Sequence, residues 1–261
     1  TGVGVIGSVG HDFDMGWFAP LGLDTSCAQR NSLATPRAWQ VFEFDGKRTQ
    51  IPRIAEADWD AQLSRHTLPD GLPESLEAVH YFSTGSPADA TMLASLRERG
   101  IRLGGEPLVT ETITPEQREH VLETIAYYEV FSPGMPDLEL LLGPGISVPD
   151  ALRRIADYGP ALVAVRQGAS GSTVYHRESD RFWQVPAAEA NVVDVTGGGN
   201  AYCGGLLTGW IESGDPLETA ASASASASMV LEQLGPPPVN PPALERARWR
   251  REQVRQAIRP L

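Results

Sequence analysis

The middle of the chain alternates between short apolar runs and segments with helical spacing. Four runs rich in β-branched and aromatic residues predict short strands, at residues 78–83, 101–103, 129–131 and 161–166. Three segments between them predict helices, at residues 88–99, 114–128 and 151–158. Gly100 is a typical stop signal for the first helix, and Pro115 suits the first turn of the second. Strands that alternate with helices predict an α/β fold whose mostly parallel sheet is covered on both faces.

The first part of the chain carries strand and turn signals. The glycine-laced, β-branched run 1–10 predicts a buried interior strand. Residues 36–51 alternate around Asp45-Gly46, a dipeptide typical of type I′ turns, and predict a β-hairpin. Prolines and many charges in 52–75 predict a surface connection. Because the chain opens in a strand-like run without an initiator Met, we expect an N-terminal segment to be missing.

The last part of the chain predicts two antiparallel strands, at 171–176 and 181–185, and then helices. Residues 220–229 alternate alanine and serine as a strand would, but the apolar run after them and the stop at Gly235 favour a closely packed helix. Beyond a proline-rich linker at 236–242, an arginine-rich helix is expected to dock on the sheet with one apolar stripe, Leu244, Ala247, Val254 and Ile258. Its arginines are expected to face solvent, with a site for an acidic partner as the alternative.

Composition narrows the classes of protein that fit. With 261 residues, 41% hydrophobic and 21% charged, the chain is not intrinsically disordered, and no apolar run approaches the ~18 residues of a membrane helix. A net charge of −12 repels a phosphate backbone, so we expect neither nucleic acid nor a membrane as a partner. Cys27 and Cys203 are too few for a disulfide framework, and no signal peptide opens the chain, which favours a soluble protein of the cytoplasm.

One glycine-rich segment carries the strongest chemical signal. The sequence Asp194-Val-Thr-Gly-Gly-Gly-Asn200 follows an extended run and opens a helix that reaches about residue 212. The glycines leave the backbone N–H groups of Gly198, Gly199 and Asn200 unobstructed at the positive end of the helix dipole, which predicts an anion-binding cradle. The spacing fits neither a Walker loop nor a Rossmann motif. A glycine-rich turn needed only for packing is the alternative.

The other candidate groups are weaker. The histidines have no paired spacing and are expected to be ordinary surface or core residues rather than a metal site or a triad: His11, His66, His80, His120 and His176. Cys203 follows the helix start, where the dipole could lower its pKa, but a small buried cysteine is the commoner case.

The glycine segment and its flanks resemble the ribokinase-like (PfkB) family of small-molecule kinases. The family's signature reads Asp-Thr-x-Gly-Ala-Gly-Asp-x-Phe, and Asp194 to Tyr202 read Asp-Val-Thr-Gly-Gly-Gly-Asn-Ala-Tyr here. Val165-Arg-Gln-Gly-Ala-Ser-Gly171 is similar to the strand and turn beside the nucleotide, and Val9-Gly-His-Asp12 is similar to an early family segment. The chain is most similar to the fungal maintenance-of-killer-like branch, whose signature reads Thr-Gly-Gly-Gly-Asn.

The resemblance implies a three-layer ribokinase-like fold over 1–235, with a lid-like hairpin at about 36–51, followed by the linker and helix of 236–261. It implies an ATP-dependent kinase for a hydroxyl of a sugar-like or nucleoside-like molecule, with Mg²⁺ and K⁺ as ions and a homodimer formed through the hairpin. The implied anion hole is Gly197, Gly198 and Gly199, beside Asn200 at the position of the family's catalytic base. The implied nucleotide contacts are Thr196, Gly168, Gly171, Ser222 and Ser226. Asp137 is implied for Mg²⁺, with a solvated loop acid as the alternative. Asp194 is implied for K⁺, with capping of the loop backbone as the alternative, and Asp12 is implied for the substrate.

Three departures from the family pattern keep a second function open. Asn200 cannot accept a proton as the family's acid does, and general-base catalysis contributes about 10²–10⁴-fold. The family's Asn-x-x-Glu aligns with Gly134-x-x-Asp137, and the expected missing segment would carry a Gly-Gly-x-x-x-Asn substrate motif. A weakened kinase is therefore one hypothesis, and a non-catalytic pseudokinase that binds a nucleotide or an anionic metabolite is the alternative. Different chemistry on the same cradle is a third, for which the sequence offers no nucleophile.

Overall fold

The computed structural model describes residues 2–42, 48–63, 71–108 and 113–261. Its contacts divide the chain into two units, Thr1–Ser75 and Leu76–Leu261. The helix at the end of the chain belongs to the second unit, while the expected boundary at residue 235 stays a prediction. Among the described residues, no helix is both long enough and apolar enough to span a bilayer.

The second unit contains a seven-stranded sheet. Its strands in chain order are β5 (Ala78–Ser83), β6 (Arg102–Pro107), β7 (Val130–Phe131), β8 (Leu162–Arg166), β9 (Ser172–His176), β10 (Arg181–Val185) and β11 (Arg259–Pro260). They lie in the order β11-β10-β9-β8-β7-β6-β5. Neighbours from β5 to β8 are parallel, and β9 lies antiparallel to both β8 and β10. Five of the seven described strands thus run in one direction, which confirms the mostly parallel sheet.

Helices cover both faces of this sheet. They are α2 (Pro87–Glu98), α3 (Pro115–Thr124), α4 (Met135–Leu142), α5 (Val148–Ala156), α6 (Gly198–Ser213), α7 (Pro216–Leu231) and α8 (Pro241–Ala257). Leu162 and Ala164 of β8 pack in one core with α6 and α7. Val163 and Val165 point to the opposite face and are equally buried. A strand buried on both faces explains why the run 161–166 is continuously apolar.

The alanine- and serine-rich run is helical, as its flanking residues predict. α7 begins at an Asp215 N-cap, whose carboxylate accepts from the N–H groups of Leu217 and Glu218. A Cβ at Gly205 of α6 would lie 2.5 Å from the Ser226 hydroxyl, so the two helices approach closely because both present small residues. Packing against α6 thus outweighs the strand-like alternation of alanine and serine in this segment.

The C-terminal helix differs from the predicted stripe. Ala243, Arg250 and Val254 are buried on α8, whereas the side chain of Leu244 is 46% exposed. The buried stripe therefore begins one residue earlier and includes a cation. α8 packs against α7, and several arginines expected in solvent form ion pairs with glutamates.

The described residues of the first unit form two small sheets and one α-helix. β1 (Gly7–Val9) and β2 (Ala28–Arg30) are parallel, and β3 (Ala38–Phe42) and β4 (Arg48–Pro52) form an antiparallel pair. The hairpin pairing is confirmed, although its expected Asp45-Gly46 turn lies outside the described residues. The buried interior strand at 1–10 is wrong, because β1 has three half-buried residues and one described partner strand. The surface connection at 52–75 is wrong in part, because it contains α1 (Glu56–Leu63), with acidic residues in its first turn that suit a helix N-terminus.

Candidate functional site

The start of α6 is built by a turn in the preceding loop. The Asp194 carboxylate accepts a hydrogen bond of 2.9 Å from the Thr196 N–H, and Gly197 has a left-handed φ of 83°. The N–H groups of Gly199 and Asn200 have no acceptor among the described residues, because they lie in the first turn of the helix. They point from the positive end of the dipole, so this turn can bind an anion.

A side chain at Gly198 and one at Gly199 would meet different neighbours. A Cβ at Gly198 would lie 2.7 Å from Leu231 Cδ2, so this glycine is needed for packing. The Gly198 N–H also donates to the Val195 carbonyl at 3.3 Å, which corrects the expectation that it is unobstructed. A Cβ at Gly199 would lie 3.0 Å from Nη1 of Arg166. A guanidinium group therefore lies beside the cradle.

Arg166 connects four elements at this point. Its Nη1 donates to Glu106 Oε2 at 2.6 Å and to Cys203 Sγ at 3.0 Å. Its Nη2 lies 3.7 Å from Oδ2 of Asp137. Glu106 lies near the end of β6 and Arg166 ends β8, at the carboxyl edge of the parallel strands, where open α/β sheets bind their ligands.

Glu106 is charged although it is 4% exposed. Burial alone would raise its pKa, but the hydrogen bond to His80 Nε2 at 3.0 Å and the charge of Arg166 outweigh burial and hold the pKa below its ordinary value. Removing Arg166 would leave this buried carboxylate with the His80 hydrogen bond but without its permanent cation, which is strongly destabilising. The ion pair therefore fixes the position of the guanidinium.

The same cluster argues against a metal ion and against a reactive cysteine. One ligand atom each of His80, Glu106 and Cys203 lies within 4.8 Å of the others. However, Arg166 already donates to Glu106 and Cys203, and its fixed positive charge opposes a cation there. Burial raises the pKa of the Cys203 thiol, which confirms the buried, unreactive cysteine and makes the dipole-activated thiol wrong.

One carboxylate oxygen of Asp137, Oδ2, is already engaged by protein groups, and the role of Asp137 toward Mg²⁺ stays a prediction. Its Oδ2 accepts a 2.9 Å hydrogen bond from the Gly134 N–H and lies beside the Arg166 guanidinium. The carboxylate therefore caps α4 and already has a cation next to it. Asp194, by contrast, has a pKa held below its ordinary value by the hydrogen bond from Thr196, so an ionised carboxylate suited to a hard cation is present.

The predicted base position and nucleotide contacts lie in different surroundings. Asn200 is exposed, and no described residue forms a hydrogen bond with its side chain. Gly168 and Gly171 close a turn between β8 and β9, in which the Gly171 N–H donates to the Gly168 carbonyl at 3.0 Å. Ser222 and Ser226 lie against Gly209 and Gly205 of α6 respectively. Contact of these residues with a nucleotide stays a prediction.

Asp12 lies in the first unit, where its surroundings give it a structural role. It accepts hydrogen bonds from the hydroxyl and N–H of Thr35 and pairs with Arg37. The Thr35 hydroxyl bond and these other contacts lower its pKa to about 2. Its predicted contact with a substrate stays a prediction.

The sequence pattern did not predict a role in the site for Arg166 or Glu106. Both are charged and end or nearly end a largely buried strand, β8 for Arg166 and β6 for Glu106. A charged residue at the carboxyl end of a buried strand is the signal that could have found them. The pairing of the two could not be found this way, because they are far apart in the chain.

Comparison with known proteins adds to this geometry. The model of the pfkB family carbohydrate kinase matches residues 2–242. A cytidine kinase of Thermococcus kodakarensis is 27% identical over 220 residues, which are 83% of this chain and 76% of that protein. A 1-phosphofructokinase of Rhodobacter capsulatus is 27% identical over 243 residues, which are 88% of this chain and 74% of that protein.

Solved structures share the fold at low sequence identity. An E. coli protein assigned to ribokinase II, in complex with ATP and Mg²⁺, matches with a TM-score of 0.73 at 20% identity. The match covers 90% of this chain and 79% of that chain. This likeness confirms the fold class that the sequence predicts.

Proposed function

Because the chain belongs to the pfkB family of carbohydrate kinases, we propose that it transfers a phosphoryl group from ATP to a hydroxyl of a small sugar-like or nucleoside-like molecule. The start of α6 carries this proposal. There, the N–H groups of Gly199 and Asn200 lie at the positive end of a helix with Arg166 beside them. Transferred phosphates need stabilisation of this kind, because the reaction depends mainly on positioning and electrostatics.

Each residue of the cradle has a separate role in phosphate binding or in phosphoryl transfer. Gly197 gives the left-handed turn, and the N–H groups of Gly199 and Asn200 bind phosphate oxygens. The ion pair with Glu106 keeps the positive charge of Arg166 next to the cradle. The Asn200 amide orients the acceptor hydroxyl without accepting its proton, so transfer is slower than with a carboxylate.

ATP enters with Mg²⁺, which neutralises charge on the phosphates when bound. Because Asp137 is already paired with Arg166, no direct ligation of the metal is assigned to it. The ionised Asp194 is the candidate for a monovalent cation such as K⁺.

The first test is calorimetric titration with Mg²⁺ and a non-hydrolysable ATP analogue, because it needs no knowledge of the acceptor. Micromolar binding is expected, and the absence of heat up to millimolar analogue would contradict the kinase proposal. An acceptor screen with sugars and nucleosides follows binding.

Asn200→Asp then tests the geometry of the reaction. The substitution restores a proton acceptor and is expected to raise turnover by about tenfold or more. Asn240→Asp is the matched control, because aspartate also caps a helix well and adds the same charge at the start of α8. Equal turnover of the wild type and Asn200→Asp would place the acceptor away from residue 200.

A pseudokinase is the second candidate function, favoured by Asn200 at the base position. It predicts that the analogue binds while no acceptor yields product, even for Asn200→Asp. Turnover of the wild type at an ordinary kinase rate of about 1–100 s⁻¹ would exclude it.

The finer assignments rest on the sequence. We place the chain in the maintenance-of-killer-like branch on its Thr196-Gly-Gly-Gly-Asn200 signature, and in the cytoplasm on its cysteine content. The homodimer through the hairpin and the absence of nucleic-acid and membrane partners belong to the same proposal.

A further inference from the structure

The loop that leads into the cradle is held by the end of α7. The Leu231 carbonyl accepts from the N–H groups of Val193 at 2.7 Å and Asp194 at 3.2 Å. The Asn191 N–H donates to Glu232 Oε1 at 3.1 Å. These three hydrogen bonds fix residues 191–194, and the turn of the cradle begins directly after them.

Glu232 is in turn held by a buried arginine of α8. Arg250 is 8% exposed, and its Nη2 donates to Glu232 Oε1 at 2.6 Å. Its Nη1 donates to the Ser228 hydroxyl at 3.3 Å, which ties it to the last turns of α7. The hydrogen bond from Arg250 is the largest cause that holds the pKa of Glu232 below its ordinary value, so the carboxylate is ionised and accepts strongly.

The cost of burying Arg250 calls for an explanation. Its Nε is buried and has no hydrogen-bond partner in the described part of the chain, and burying a cation carries a desolvation penalty of several kcal/mol. An apolar residue would continue the stripe of Ala243 and Val254 without that penalty. Arg250 also lies beyond the match to the family model, which ends at residue 242, so the family model does not account for this arginine.

We propose that Arg250 is a positioning residue for the phosphate cradle: through Glu232 it fixes the loop 191–194 and thereby the direction of the Gly199 and Asn200 N–H groups. This inference rests on the proposed phosphate-binding function of the cradle. Arg250 itself touches neither the cradle nor any reacting atom. It acts through two hydrogen bonds that share one carboxylate oxygen.

The chain contains a matched control for this role. Arg251, the next residue of α8, donates to Glu218 Oε2 at 2.9 Å, in the first turn of α7. Both arginines thus join α8 to a glutamate at an end of α7. The Glu232 carboxylate also binds the loop before the cradle, whereas the described hydrogen bonds of the Glu218 carboxylate are with arginines of α8.

The experiment compares Arg250→Met, Arg250→Lys and Arg251→Met with the wild type at a temperature where all four are folded. Calorimetry with Mg²⁺ and the non-hydrolysable ATP analogue is expected to show binding weakened about tenfold in Arg250→Met. Arg251→Met should bind within about twofold of the wild type. Arg250→Lys should recover part of the affinity, because an ammonium group can still donate to Glu232.

Hydrogen exchange of the ligand-free variants separates this inference from the proposed function. Backbone amides of 191–200 should exchange faster in Arg250→Met than in Arg251→Met or the wild type. If the wild type binds no analogue, the proposed function fails and the exchange result alone decides whether Arg250 fixes the loop. If Arg250→Met does not fold, Glu232→Gln gives the same comparison, with faster exchange expected because the amide pairs less strongly with Arg250.

A purely structural role would give a different pattern. Arg250→Met would then lower Tm while its affinity for the analogue and its exchange at 191–200 stayed at wild-type values. That result would overturn the inference, as would equal changes in affinity for Arg250→Met and Arg251→Met.

Discussion

Two glycines in the first half of α6 differ in what surrounds them. A Cβ at Gly199 would lie 3.0 Å from Arg166 Nη1, whereas one at Gly204 would meet nothing within 4 Å. Gly199→Ala is therefore expected to displace the guanidinium and to weaken binding of the Mg²⁺-bound ATP analogue by about threefold to tenfold. Calorimetry checks this, and Gly204→Ala is the control because it raises helix propensity equally. Equal affinities of the two variants would show that Arg166 contributes nothing to binding.

The buried charge of Glu106 predicts a dependence of stability on pH. A carboxyl group whose pKa is lowered by folding stabilises the folded state above its unfolded pKa, and this contribution is lost as the pH falls through the folded pKa. Stability should therefore fall as the pH drops below about 4.5, the ordinary pKa of this group. Glu106→Gln should flatten that fall and cost about 3–5 kcal/mol at pH 7, because the buried Arg166 loses the nearer of its two carboxylate partners.

Denaturant unfolding between pH 3 and 7 measures both effects. Glu245→Gln is the control, because Glu245 is exposed on α8. If Glu106→Gln kept the wild-type slope below pH 4.5, the ion pair with Arg166 would not be the source of acid sensitivity.

Helices α6 and α7 owe their close approach to small residues on both sides. A Cβ at Gly205 would lie 2.5 Å from the Ser226 hydroxyl and 2.8 Å from the Ser222 carbonyl, which is backbone and cannot rotate away. Gly205→Ala is expected to push the helices apart and to cost about 1–3 kcal/mol. Gly204→Ala, one residue away in open space, should be neutral or stabilise by up to about 1 kcal/mol. Chemical denaturation measures the free energy of unfolding of both variants. Similar values for the two would contradict the tight contact between α6 and α7.

The shifted stripe of α8 gives a second comparison between elements. Val254 is 3% exposed and belongs to the core, while Leu244 is 46% exposed. Val254→Ala should therefore cost about 1–3 kcal/mol, and Leu244→Ala less than about 0.5 kcal/mol. Thermal and urea unfolding measure whether Val254→Ala loses more stability than Leu244→Ala. The reverse order would contradict the burial of Val254 and the exposure of Leu244.

At the scale of the whole molecule, the described part of the β3–β4 hairpin carries large apolar side chains that are exposed. Trp39 and Ile51 are cross-strand partners and are 60% and 48% exposed. Exposed large apolar residues on one face are typical of an interaction surface, and the proposed homodimer would cover them. Trp39→Asp should shift the protein from dimer to monomer in light scattering, while Trp249→Asp, which also replaces an exposed tryptophan, should leave the dimer intact. A monomeric wild type would contradict the homodimer.

Much of the fold follows from patterns that are local in the chain. Periodicity and stop signals predicted most strands and helices of the second unit, because Gly100, Pro115 and the apolar runs act within a few residues. The sequence analysis did not predict α4 and β11. The glycine turn at 197–199 was also predicted from the sequence, since small residues at a helix start leave its N–H groups open to an anion. The interior strand expected at 1–10 failed, because burial depends on partner strands that the local pattern does not contain.

The sequence by itself determined most of the strands and helices in the second unit, the helix start at Gly198 and the departure at Asn200, because each depends on neighbouring residues. Only the tertiary structure decided what surrounds them. It brings Glu106, Asp137 and Arg166 together, although 60 residues separate the first from the last. It also places Arg250 within the buried stripe of α8, next to Glu232. Such pairings depend on how strands and helices pack, and that information is distributed over the whole chain rather than held in any one segment.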